Sequence, residues 1–301
     1  MTEPLKAAAL PDRKIVAVGG PDRARFLQGL TTNDIRRLAP DRVLYTGFLT
    51  GQGKLRCDAF VWPDGERILF DVAAAQAEDF VRRLTAFKLR AAVEIGETAP
   101  ALAVAALWGT GAIARLGLDP TEGAAGSGVM AGARCAFVDP RTASMGARLV
   151  YPADTTIEDG LAGLGFAIAE PADYAGHRMA LGIADTAEIG DEACYPLEAN
   201  FEMLHGVDFR KGCYVGQELT ARMKLRNGLR KRILPVSGPD LLPAAGTPVT
   251  AAGTELGRLI GAAGRSGLAL LRLDRLAEAR PDSIRAQDVP LTVDWPRWLP
   301  R

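Results

Sequence analysis

The sequence lacks any excess of one charge: 36 lysines and arginines balance 36 aspartates and glutamates, for a formal net charge of zero. A protein whose main task is to hold nucleic acid usually carries a clear basic excess, so direct nucleic-acid binding is not expected here. No run of about 18 apolar residues occurs, which argues against a membrane-spanning helix. The N-terminus lacks the charged-then-apolar layout of a secretory signal. Only two histidines are present, which excludes a histidine-rich metal centre. Cysteine is scarce as well: Cys57, Cys135, Cys194 and Cys213 form no C-x-x-C pair and no metal-finger spacing. Together with the missing signal, this pattern points to reduced thiols in a cytoplasmic chain.

What is present describes an ordinary folded protein. Of 301 residues, 48% are apolar and 24% charged, a length that suits two or three structural units. Lys14 to Val18 reads as a short strand closed by Gly19-Gly20, and Pro21 opens a helix carrying Phe26, Leu27 and Leu30. Leu44 to Thr50 and Leu55 to Trp62 flank the Gly51-Gln52-Gly53-Lys54 turn as a hairpin, with Leu55, Cys57, Ala59 and Val61 sharing one face. A strand over Arg67 to Val72 and a helix over Ala75 to Leu89 follow. After Pro100 the spacing predicts strands at Leu102 to Trp108, Ala133 to Val138 and Ala147 to Tyr151. Helices are predicted near Gly111 to Leu118, Thr155 to Leu164 and Pro171 to Leu181, with a glycine-rich loop over Gly123 to Gly132. From Arg230 short strands alternate with Pro/Gly turns, the pattern of a small all-β domain.

Residues 211–218, Lys-Gly-Cys-Tyr-Val-Gly-Gln-Glu, are the most informative stretch. Gly212 and Gly216 permit tight or left-handed backbone, and Val215 onward reads as the first turn of a helix running to about Arg226. Cys213 is then expected at a helix N-terminus, where free amides, the macrodipole and Lys211 favour the thiolate. A buried cysteine in a glycine turn is the competing reading.

The wider segment resembles the YgfZ family of T-protein-like, folate-binding proteins, most closely its mitochondrial branch of iron-sulfur cluster assembly factors. The resemblance rests on residues 196–200 (Pro-Leu-Glu-Ala-Asn), 205–222 and 26–34 (Phe-Leu-Gln-Gly-Leu-Thr-Thr-Asn-Asp), the 51–54 turn, and downstream residues through Trp295. It implies an α+β fold: an aminomethyltransferase-like, folate-binding body of two α+β lobes with a C-terminal β-barrel, arranged around a central channel. The expected division is 1–100 for the first lobe, 101–229 for the second and 230–301 for the barrel, with the lobes free to interleave.

The resemblance also supplies functional expectations. Cys213 is the expected reactive thiolate or shared cluster ligand, with Lys211, Gln217 and Glu218 around it. A cluster normally takes four ligands, so one thiolate requires a partner chain, and the resemblance implies an A-type iron-sulfur carrier. Cys57, Cys135 and Cys194 read as interior residues. Tetrahydrofolate or a related folate is the implied cofactor, with Asn33, Asp34, Tyr45, Lys54, Glu198, Asn200 and Arg222 as its expected contacts. Where the bacterial branch sets tryptophans beside the pterin, this chain carries Arg13 and the pair His177-Arg178. Where the T-protein carries paired aspartates, it reads Cys57-Asp58. The leading reading is therefore an accessory protein for cluster assembly or repair, with indirect effects on cluster-dependent enzymes such as those that modify tRNA. A tetrahydrofolate-dependent aminomethyltransferase and a tRNA-binding module are the alternatives. Residues 208–232 concentrate a net charge of +6 in a neutral chain, which suits an acidic partner, a polyglutamate tail or phosphates.

Overall fold

The strand Leu55–Asp64 shows how the fold departs from simple alternation. Its Cys57, Ala59 and Val61 enter an apolar core as expected, but Asp58 and Phe60 on the opposite face are equally buried. Both faces of this sheet are covered, so period-two patterning reports only part of the burial.

The protein was analysed as a computed structural model, which describes residues 3–126, 129–130, 132–190, 192–226 and 228–300. The chain divides into two units that interleave in sequence. The first comprises Met1–Leu49, Arg56–Pro171 and Leu204–Val215, and the second comprises Thr50–Leu55, Ala172–Met203 and Gly216–Arg301.

The first unit holds two sheets. One has five strands in the order Leu44–Leu49, Leu55–Asp64, Arg67–Ala73, Arg13–Gly19 and Glu94–Glu97. The helix Ala74–Lys88 buries Ala77, Phe80 and Leu84 in the same core as Val16, Val18 and Phe70. There Phe80 meets Phe48 edge-on, with ring centroids 4.8 Å apart. The short helix Arg23–Gln28 adds Leu27 to this core. The second sheet has six strands in the order Ala167–Ile168, Lys6–Ala9, Leu102–Trp108, Ala147–Pro152, Cys135–Val138 and Ala125–Gly126. The last of these, Ala125–Gly126, lies inside the stretch read as a loop over Gly123 to Gly132, whose residues 127, 128 and 131 are outside the described residues.

Between the two sheets of this unit lies a buried ionic network. The Asp71 carboxylate accepts from Arg13 Nε at 2.6 Å and from Arg148 Nη1 at 2.7 Å, and all three side chains are almost wholly buried. Asp139 accepts from Arg141 through both oxygens, at 3.0 and 2.8 Å. The Phe60 ring lies 3.9 Å from the Arg148 guanidinium and 4.8 Å from that of Arg141. Opposite charges in contact are what allow such groups to leave water.

The second unit is built on a seven-stranded antiparallel sheet in the order Val289–Pro290, Ile284–Ala286, Pro248–Ala251, Thr254–Ala263, Ser266–Arg272, Lys231–Ser237 and Thr292–Val293. Leu234, Val249, Leu259 and Leu271 are among its buried residues. Two helices, Pro171–Ala180 and Thr186–Ile189, precede the sheet in sequence. The second opens on a capping box, in which Asp185 and Glu188 each accept main-chain N–H groups. Arg178 is buried in a two-pronged pair with Glu188 at 2.7 and 2.8 Å. Among the described residues, no helix is long and apolar enough to cross a membrane.

Candidate functional site

Cys213 is exposed, and the other three cysteines are not: Cys57 and Cys194 are buried and Cys135 is half-buried. Burial pushes the Cys135 and Cys194 thiols up to about 12, which keeps them protonated and unreactive near neutrality. None of the four is joined in a disulfide.

Both shoulders of the Cys213 loop are tied to one short stretch of the first unit, residues 28–33. On one side Lys211 turns inward until 5% of it remains exposed. Its ammonium donates to the carbonyls of Gln28 at 2.8 Å and Asn33 at 2.9 Å, and also to that of Thr31. On the other side the Val215 N–H donates to the Gly29 carbonyl at 3.0 Å. Further back, the Asp208 N–H donates to the Thr32 carbonyl at 3.0 Å, and Thr32 Oγ1 donates to the Gly206 carbonyl at 2.5 Å. Asn33 Nδ2 bridges the carbonyls of His205 and Tyr45 at 2.7 and 2.8 Å. The two sequence motifs are therefore halves of one device: Leu-Thr-Thr-Asn forms a cradle, and the 205–215 segment is fastened into it with the sulfur outward. A reactive group is held more reproducibly by a pinned loop than by a free one.

Two expectations about this loop are corrected. The helix begins at Gln217 and not at Val215, because Gly216 takes a left-handed φ of 79° that cannot continue a helix. Cys213 consequently precedes the first turn and is not seated on it. Lys211 does not stand over the sulfur, since its ammonium is spent on main-chain carbonyls. Burial pulls its pKa down from 10.5 to about 8, opposed by the nearby Asp34 and Asp208 carboxylates.

The expected folate contacts have mostly protein partners. Asp34 caps the 3-10 turn Ile35–Arg37, accepts from Gln28 at 3.0 Å and pairs with Arg36, which holds its carboxyl down at about 2. Asn33 is buried in the cradle. Tyr45 is buried and donates its hydroxyl to Asp58 at 3.0 Å. In the second unit Asn200, at a left-handed φ of 62°, donates to the Ile233 carbonyl at 2.8 Å and accepts from Arg232 at 2.7 Å. Lys54 is half-buried with its ammonium 4.1 Å from the Tyr195 ring centre, and Glu198 accepts the Tyr195 N–H at 2.9 Å. Gln217 and Glu218 start the helix Gln217–Leu225, where Glu218 pairs with Arg222 at 2.6 Å.

Sequence reasoning missed the cradle residues Thr31, Thr32 and Gly206. The signal was the paired threonines ahead of Asn33-Asp34, since adjacent hydroxyls and a carboxamide offer donors that a loop can bind. It also missed why the 51–54 turn needs glycine. Gly53 has φ 74°, and a side chain there would meet Gly216 O at 3.0 Å and Leu219 Cβ at 3.1 Å. Among the described residues, no group of three or more His, Cys, Asp or Glu could hold a metal ion.

Comparison with known proteins places these features. Residues 230–301 match the family described as CAF17, C-terminal beta-barrel domain. The whole chain is similar in fold to the crystal structure of the glycine cleavage system aminomethyltransferase T from Bartonella henselae. That match has a TM-score of 0.77 at 15% identity and covers 98% of this chain and 86% of that one. The expected α+β, T-protein-like architecture with a C-terminal barrel is thus established. Among curated proteins, the human mitochondrial iron-sulfur cluster assembly factor IBA57 is 33% identical over 97% of this chain and 84% of its own length. The homologue from Pyricularia oryzae is 32% identical over 90% of this chain and 72% of its own. For that from Mycosarcoma maydis the identity is 34% and the chain spans 59% of the relative's length. Each of these relatives is named as mitochondrial, which overturns the cytoplasmic expectation. The identity and coverage against the human protein carry the assignment: the chain belongs to the YgfZ-like family, within its IBA57 branch of iron-sulfur cluster assembly factors.

Proposed function

We propose that this chain lends Cys213 as one ligand of an iron-sulfur cluster whose other ligands come from an A-type carrier, during assembly or repair of cluster proteins. The observation that carries this reading is an exposed sulfur on a loop fastened at both shoulders, with no group of three or more His, Cys, Asp or Glu placed to hold a metal ion among the described residues. One thiolate cannot complete a cluster, which ordinarily takes four protein ligands. On coordination the thiol gives its proton to solvent as the sulfur-iron bond forms, and the cluster is cargo shared between two proteins. Effects on tRNA-modifying enzymes would follow indirectly, through the clusters that such enzymes need.

Folate, which the resemblance implies, does not fit the residues first named for it. Asn33, Asp34, Tyr45 and Asn200 are buried and bond to other groups of the protein, whereas Lys54 and Glu198 are half-buried and Arg222 is exposed. The proposed role runs without it. Asp58, which the resemblance sets against an aspartate pair of the T-protein, is fully buried and accepts the Tyr45 hydroxyl, which favours assembly over aminomethyl transfer.

The test is a mixture of the purified chain with a cluster-loaded A-type carrier, followed by visible absorption. The reading predicts a spectrum that differs from that of the carrier alone, is lost in Cys213→Ala and persists in Cys194→Ala. An unchanged spectrum with the wild-type chain would sink it.

A further inference from the structure

The helix Ala74–Lys88 runs into a turn built against the ordinary preference of its residues. The Ala91 N–H donates to the Lys88 carbonyl at 2.8 Å and closes residues 88–91 into a tight turn. Leu89, the first central residue, sits at φ 47° and ψ −108°, a conformation that glycine ordinarily fills in such turns. A leucine there carries backbone strain, and packing offsets none of it, because Leu89 is 88% exposed. Phe87 continues the helical row of the buried Phe80 and Leu84 but runs past the core, and is 51% exposed.

The charge around these two side chains has one sign. Residues 80–93 hold four basic residues and no acid. Arg82 and Arg83 pair with Asp79. Lys88 and Arg90 make no ion pair among the described residues, and neither does Arg25 on the neighbouring helix Arg23–Gln28. The turn is fastened on both sides. Ala77, Phe80 and Leu84 anchor the helix that enters it. On its far side the Ala92 N–H donates to the Asp22 carboxylate at 2.8 Å, and the Ala92 carbonyl accepts from the Asp22 N–H at 3.3 Å.

We propose that this turn is a contact for an anionic phospholipid surface: Leu89 and Phe87 enter the headgroup region, and Lys88, Arg90 and Arg25 meet the lipid phosphates. Leucine and phenylalanine ringed by lysine and arginine are the build of segments that lie in a bilayer interface without spanning it. The unpaired cations select anionic over neutral lipid. A protein occupant fits less well. Stable protein interfaces bury roughly 1,200–2,000 Å², far more than one turn with two apolar side chains presents. A fluid bilayer, in contrast, closes around an isolated tip. None of these residues belongs to the Cys213 loop, so the contact stands apart from the cluster reading.

The test is co-sedimentation of the full chain with vesicles of mixed phosphatidylcholine and phosphatidylglycerol, compared with vesicles of phosphatidylcholine alone. The wild type should sediment with the mixed vesicles, less so as salt is raised, and stay in solution with the neutral ones. Leu89→Gly should lower vesicle affinity roughly tenfold while leaving the chain at least as stable in urea, because glycine takes the same φ without strain. The double variant Lys88→Glu with Arg90→Glu should lower it roughly tenfold or more. Both variants should keep the Cys213-dependent absorption with the carrier, so failure here and failure of the cluster reading are told apart. A wild-type chain that ignores both kinds of vesicle would overturn the membrane contact, as would sedimentation unchanged by Leu89→Gly. Self-association of the wild type, abolished by Leu89→Gly and without vesicle binding, would assign the turn to a second copy of the chain and overturn it too.

Discussion

Asp71 offers the sharpest quantitative test of how the first unit is held together. Its carboxylate is fully buried and accepts from Arg13 at 2.6 Å and from Arg148 at 2.7 Å, on strands of two different sheets. Asp71→Ala leaves both guanidinium groups buried beside a hole. Removing one partner of a buried ion pair costs about 3–5 kcal/mol, because the remaining charge stays desolvated. Arg148 retains Asp139 at 3.8 Å, which places the expected loss toward the lower end of that range. Domains of this size lose about 2–4 °C in midpoint per kcal/mol, so the variant should melt roughly 6–15 °C lower. Urea unfolding followed by circular dichroism measures the free energy directly. The double variant Asp71→Leu with Arg148→Leu should lose less than Asp71→Ala despite altering more atoms, since it removes a charge together with its partner. A loss under about 1 kcal/mol for Asp71→Ala would refute the claim that this network joins the two sheets.

The Lys211 clasp makes a pH prediction. With a folded pKa of about 8 against 10.5 when exposed, the folded chain binds fewer protons than the unfolded chain between those values, so stability rises with pH across that window. The cost of burying the ammonium is fully present below pH 8 and gone above 10.5. Compared with Lys211→Met, the wild type should therefore gain stability between pH 7.5 and 9.5 in urea titrations, by at most about 1.4 kcal/mol per pH unit; a flat or falling difference contradicts the assignment. The glycines flanking the site should behave oppositely. Gly53→Val should destabilise by more than 1 kcal/mol, because the position has positive φ and meets Gly216 and Leu219, as chemical denaturation would report. Gly212→Ala has open space around it and should stay within about 0.5 kcal/mol of wild type.

Legibility in the sequence followed the length and regularity of each element. The strand Leu55–Asp64 and the helix Ala74–Lys88 announced themselves because ten and fifteen residues, respectively, kept one period. Lys6–Ala9 and Glu94–Glu97 escaped notice because four residues, alanine-rich in one case and acidic in the other, carry no strand signal. The ten-residue strand Thr254–Ala263 was hidden by its glycines. Gly257 sits where a side chain would strike the Leu270 carbonyl, and the register shifts between Leu259 and Gly261 break the alternation. At the site, Cys213 was legible from its glycine-rich setting. The job of Lys211 was not, because a lysine beside a cysteine reads as an electrostatic partner until the fold supplies three carbonyls for it. The Asn200 carboxamide read as a ligand contact for the same reason: its partners, Ile233 and Arg232, lie more than thirty positions away.

The most direct measurement of the central claim is alkylation of the native protein with iodoacetamide near pH 7.5, read residue by residue by mass spectrometry, alone and in the cluster-bearing mixture with the carrier. Free protein should be labelled at Cys213, while Cys57, Cys135 and Cys194 stay unmodified. In the mixture Cys213 should become protected, and protection should vanish when the cluster is removed with a chelator. Equal labelling of Cys213 with and without the cluster would contradict the account.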